Sequence, residues 1–128
     1  MYRKVGDEFI ADDFAHEQSV VFETGKGLVI FNSCSHGGIV NIVREVQMAL
    51  GGQKVYAVVG GFHMMKLSGM DTLAIPEEEV VETAQELKGL GVEEIYTGHC
   101  TGNIAFRILK KELGEMVHAL GTGETVVF

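Results

Sequence analysis

Asn32-Ser33-Cys34-Ser35-His36-Gly37-Gly38-Ile39 is the stretch on which the reading of this chain turns. It follows an apolar run, Gly27 to Phe31, and precedes Ile39, Ile42, Val43, Val46 and Leu50, which share one face at helical spacing. A Cys-x-His pair therefore sits where a strand turns into a helix. In α/β proteins that position faces a crevice at the carboxyl end of the sheet, beside a helix start that attracts anions.

The arrangement recurs twice. Val55 to Gly61 is apolar and runs into Gly60-Gly61-Phe62-His63, and Val92 to Tyr96 leads into Gly98-His99-Cys100-Thr101-Gly102. Each short β-like run delivers a His into a Gly-rich turn. Around these, Gln18–Glu23 and Gly27–Asn32 flank Thr24-Gly25-Lys26 and predict a hairpin. Gly51-Gly52 ends the first helix, and Lys54 to Val59 reads as a strand buried in a parallel sheet. Pro76 opens a second helix whose first turn, Glu77-Glu78-Glu79, matches the positive end of the helix dipole. A strand from Glu94 to Thr97 and a helix from about Asn103 to Leu113 follow.

Residues 1–15 read as a lead-in loop, and Met116–Leu120 with Glu124–Phe128 as a closing strand pair. The Met-rich stretch Met64 to Met70 has no clean period and predicts a mobile loop. Its methionines fill an irregular gap or adapt to a ligand. The alternation of strand and helix predicts an α/β fold in one domain spanning residues 1–128.

Composition narrows the function. Hydrophobic content of 46% with 22% charge excludes a disordered chain. A formal net charge of −8 argues against a nucleic-acid surface, and no apolar run approaches the roughly 18 residues of a membrane span. A signal peptide's apolar region is absent from the start, which predicts a cytoplasmic location. Two Cys, Cys34 two residues before a His and Cys100 directly after one, fit metal or thiol chemistry in a reducing compartment. Of the five His, His118 alone falls inside a strand pattern and reads as structural. His16, His36, His63 and His99 with a Cys at neighbouring strand ends suit zinc or another borderline metal.

The segments Asp12-Asp13-Phe14-Ala15-His16-Glu17-Gln18-Ser19, Asn32 to Ile39, Gly60 to His63 and Gly98 to Gly102, in this order, resemble the metallo-β-lactamase superfamily. They are most similar to the branch of ribofuranosylaminobenzene-phosphate (methanopterin-precursor) synthase-like hydrolases. The resemblance implies half of an αββα sandwich, a mixed sheet with helices on one face, carrying a metal site at its open edge. By the same resemblance, His16 and His99 match metal-ligand motifs. Asn32-Ser33-Cys34 stands where a metal-bridging Asp is usual, which leaves Cys34, His36 or both as ligands. His63 corresponds to an active-site His of that branch, a ligand or an acid/base, and is the catalytic candidate here. The superfamily's H-x-H-x-D-H signature does not occur in these 128 residues, so the chain corresponds to the carboxyl-terminal half.

The implied function is metal-dependent hydrolysis of a small, phosphate-bearing substrate, with zinc, manganese or iron as the ion. The site would be complete only in a homodimer or with a missing amino-terminal half. The competing expectation is an inactive half-fold that binds a ligand or partner and holds at most a structural metal. A redox role for Cys34 is weaker, because no Cys-x-x-Cys and no basic neighbour is present to activate the thiol.

Overall fold

A computed structural model describes residues 2–128. Two sheets form: a hairpin of β1 (Tyr2–Val5) and β2 (Glu8–Ala11), and a five-stranded sheet in the order β3-β4-β5-β6-β7. Its strands are β3 (Ser19–Thr24), β4 (Gly27–Asn32), β5 (Val55–Gly60), β6 (Glu94–Thr97) and β7 (Val117–Ala119). β3 pairs antiparallel with β4 through the expected tight turn, and β4, β5, β6 and β7 run parallel. Parallel neighbours need crossovers, supplied here by helices α1 (Ile39–Ala49), α2 (Glu77–Gly89) and α3 (Asn103–Leu113).

The apolar pattern explains the layering. On α1 the buried residues are Ile39, Ile42 and Val43; on α2 they are Val80, Ala84 and Leu87; on α3 they are Ala105, Leu109 and Leu113. All nine join Leu28 and Ile30 of β4 and Val55 and Val58 of β5 in one core. The three helices therefore cover the same face of the sheet. Alternate residues, Val29 and Phe31 of β4 with Ala57 and Val59 of β5, form a smaller cluster on the other face. One extra residue, Tyr56, enters between the pairs Leu28 with Val55 and Val29 with Ala57, where the register shifts.

Among the described residues no helix covers that second face. Val20 and Phe22 of β3 are more than half exposed there. An aromatic row crosses it: Phe22 meets Phe31 edge-on with ring centroids 5.6 Å apart, Phe31 meets Phe128 at 6.1 Å, and Phe128 meets Tyr96 at 5.6 Å.

Two expectations fail, each for a physical reason. Residues 1–15 are not a plain loop, because Tyr2–Val5 and Glu8–Ala11 pair across Gly6-Asp7, with Gly6 at φ +61. All eight strand residues are exposed, so no buried face marked them as strands in the sequence. At the other end only Val117–Ala119 pairs with the sheet. Glu124–Phe128 forms no strand; the Gly121 N–H donates to the Glu124 carboxylate (2.7 Å), and the tail brings Phe128 against Phe31 and Tyr96.

The Met64–Met70 stretch has no regular structure but is tied at several points. Met64 is buried in the main core, the N–H groups of Met64 and Met65 donate to the Cys100 carbonyl, and the Asn103 N–H donates to the Met70 carbonyl. Met64 thus fills a gap in the core.

Candidate functional site

The parallel strands β4, β5 and β6 end on one edge of the sheet, and the three Gly-rich turns meet there. Asn32 organises the first turn. Its Oδ1 accepts the Ser35 N–H (2.7 Å) and hydroxyl (3.1 Å), while its Nδ2 donates to Ser19 Oγ (2.8 Å). This Asx-type turn holds Ser35, between Cys34 and His36 in the chain, at φ +52. The second turn packs closely against the first, backbone to backbone. The Gly61 N–H donates to the Ser33 carbonyl at 2.9 Å, and Gly60 takes φ +150 against Asn32.

A buried relay fixes the second turn to the third. The Phe62 N–H donates to Thr101 Oγ1 (2.9 Å), the hydroxyls of Thr101 and Thr97 lie 2.6 Å apart, and Thr97 donates to the Gly60 carbonyl (2.8 Å). Thr97 and Thr101 are fully buried. Thr101→Val keeps the shape but leaves the Phe62 N–H without its acceptor, so unfolding stability should drop by about 1–3 kcal/mol. Thr101→Ser should restore most of it. Urea denaturation of the three proteins checks this, and a valine variant as stable as the parent would contradict it.

The sequence-derived site residues divide into three places. Cys34, His99 and the neighbouring Cys100 place their sulfur and ring-nitrogen atoms within 4.8 Å of one another. His36 and His63 pair beside them, with ring centroids 4.3 Å apart and nearly perpendicular. His16 joins neither group; its side chain is 67% exposed and lies 3.9 Å from Asp12. His118 lies on β7, 2.6 Å from a Glu94 oxygen and stacked on Tyr96.

The backbone around these side chains is unusual. Phe14, Ser35, His63 and His99 have positive φ without being glycine, and three of the four lie in the converging turns. Such conformations cost about 1–3 kcal/mol each, persist where the surroundings dictate them, and cluster at functional sites.

Burial, and next the neighbouring His36, lower the pKa of His63, with Glu17 pulling the other way. Its ring is therefore neutral at neutral pH and can accept a proton. Burial pushes the Cys100 thiol up to about 11, opposed by the His63 N–H that points at its sulfur.

Two residues here were not among the sequence-derived site candidates. Cys100 read equally as a small buried hydrophobe and as a metal or thiol group. Glu17, distant in sequence, accepts the N–H groups of His36 (2.7 Å) and Gly37 (2.9 Å) with its two oxygens. The Gly38 N–H goes to the Ser35 carbonyl, and those of Thr101, Gly102 and Asn103 are also engaged internally. These turn amides thus bind the protein's own acceptors, which accounts for the glycines through turn geometry.

The donor set at Cys34, His99 and Cys100 fits a metal ion. Zinc bound by thiolates and imidazole in a tetrahedron holds ligand atoms about 3.5–3.8 Å apart; side-chain rotation would have to close the observed spread of up to 4.8 Å to that.

No family model matches the chain. Over 128 residues it is 36% identical to the 7,8-dihydropterin-6-methyl-4-(β-D-ribofuranosyl)-aminobenzene-5′-phosphate synthase of Methanocaldococcus jannaschii, covering 100% of this chain and 41% of that protein. The crystal structure of Tm1679, a metal-dependent hydrolase of the β-lactamase superfamily, superposes with a TM-score of 0.84 at 30% identity over 99% of this chain. In sequence and fold the chain thus resembles part of a metal-dependent hydrolase of the β-lactamase superfamily. It spans less than half the length of either protein, 41% and 46% respectively. Its five-stranded sheet with helices on one face is the expected half of the superfamily's αββα sandwich.

Proposed function

We propose that this chain supplies half of the active site of a metal-dependent hydrolase acting on a small, phosphate-bearing substrate. The observation that carries the reading is the convergence of Cys34, His99 and Cys100 beside the His36–His63 pair at the ends of three parallel strands. Cys34 and His99 are the ligands among the four candidates that share one cluster. His36 stands next to it against His63, and His16 would have to swing inward to take part. A divalent ion held there, zinc for a set containing thiolates, supplies Lewis acidity and acidifies a water towards neutral pH.

The remaining work falls to the chain's own groups. His63, neutral and facing His36, receives and returns a proton. The Glu17 carboxylate fixes the backbone that carries His36. The buried threonine relay holds His63 and His99 in register. The phosphate in the Methanocaldococcus relative's name supports a phosphate-bearing substrate here. Because the first-turn amides are engaged by Glu17, its anionic group must be met elsewhere.

The helix-free apolar face supports association. Val20 and Phe22 stay exposed on it, and the two relatives are more than twice as long. A missing half or a second copy would cover that face and complete the edge.

Phosphate-ester hydrolysis by the zinc-loaded chain, assayed at the oligomeric mass found by light scattering, tests the proposal. Turnover that falls about 10²–10⁴-fold in His63→Ala supports it. Bound zinc with no turnover, in a sample of single or paired chains, would favour the alternative of an inactive half-fold with a structural metal.

A further inference from the structure

Cys100 is the buried member of its cluster, and its surroundings are not those of an inert core thiol. Backbone polar groups meet its sulfur: the His63 N–H donates to it at 3.3 Å, and the Cys34 carbonyl oxygen lies 3.7 Å away. Gly61 makes room for it, since a Cβ at that position would stand 2.5 Å from the sulfur. The N–H favours a thiolate, whereas the carbonyl oxygen, an acceptor for the thiol proton, favours the thiol. One N–H is too little compensation for a buried negative charge, and a neighbouring metal ion would supply the rest.

We propose that Cys100 is a metal ligand in its own right, closing with Cys34 and His99 a Cys₂His site that selects a thiophilic ion such as zinc and leaves the fourth position open. The inference rests on the metal reading above and extends it to a residue that neither the motifs nor the relatives' names assign. Burial of Cys100 and exposure of His99 place the open position on the solvent side of the site, towards His99. Binding is balanced by proton release: two S–H bonds break, two metal–sulfur bonds form, and two protons pass to the buffer while the imidazole binds through its lone pair. Two thiolates make the site softer than a carboxylate and imidazole set, which disfavours manganese.

X-ray absorption at the zinc edge on the reduced, zinc-loaded full chain counts the sulfurs directly. Two sulfurs at about 2.3 Å per zinc are expected. Cys100→Ser should leave one and weaken zinc binding by more than tenfold, as should Cys34→Ser. Zinc held by one sulfur in the parent chain, with affinity unchanged in Cys100→Ser, would overturn the role of Cys100 and leave the metal reading standing. Failure of the parent chain to bind zinc at all would overturn both.

Discussion

Gly60→Ala is expected to remove most or all of the folding stability. Gly60 ends β5 at φ +150, a conformation that side chains rarely adopt, and an added Cβ would overlap the Asn32 carbonyl oxygen. That oxygen belongs to the backbone of the adjacent strand, so no side-chain rotation relieves the collision. β4 and β5 would have to part at the centre of the parallel sheet, and the Thr97 hydroxyl would lose its acceptor at the Gly60 carbonyl. Strain together with the displaced strand end should cost about 4 kcal/mol or more, a large share of the 5–15 kcal/mol typical of a domain. Gly25→Ala is the control. Nothing lies within 4 Å of a Cβ there, and the change should stay within about 0.5 kcal/mol. Urea midpoints of the two variants compare the costs; equal midpoints would contradict the close approach of the two turns.

Much of the fold was legible because strong periodic signals happened to be local. The β6 strand Glu94–Thr97 and the α3 helix Asn103–Leu113 fall where the pattern placed them, bounded by Gly98, Gly102 and Gly114. The convergence of three turns was also readable, since parallel strands joined by helices must end on one edge. The β1–β2 hairpin escaped notice because every residue in it is exposed, leaving no apolar alternation tied to a core. The last five residues misled in the opposite way. Val126, Val127 and Phe128 have strand composition, yet the edge of the sheet pairs only through Ala119 and the tail is drawn across the face by Phe128.

The site divides along the same line. Cys34, His36, His63 and His99 were visible because each stands in a Gly-rich turn at a strand end. Three-dimensional partners were not. The reach of Glu17 to the amides of His36 and Gly37, the relay through Thr97 and Thr101, and the approach of Cys100 to Cys34 across 66 residues all depend on how β3, β4 and β6 align. His16 shows the reverse case. Its motif suggested a ligand, whereas its side chain lies outside the cluster, near Asp12.

His99→Ala is the second substitution expected to have a large effect, and it acts on binding rather than folding. His99 is exposed, so losing its ring opens no cavity, and unfolding stability without metal should change by less than about 1 kcal/mol. Of the three side chains in the cluster it supplies the only nitrogen ligand. Losing one of three protein ligands should weaken zinc binding by at least about 100-fold, since a structural zinc site's 10–16 kcal/mol is shared among few bonds. His118→Ala removes another partly exposed imidazole, bound to Glu94 and stacked on Tyr96, and should leave metal content unchanged. Equal loss from both variants would refute the assignment of His99.

Elemental analysis of the full chain, purified without chelator and then equilibrated with zinc, tests the metal centre most directly. The arrangement of Cys34, His99 and Cys100 predicts about one equivalent of zinc per chain, retained through gel filtration. Less than about 0.2 equivalents, with no gain on adding zinc or manganese, would contradict it.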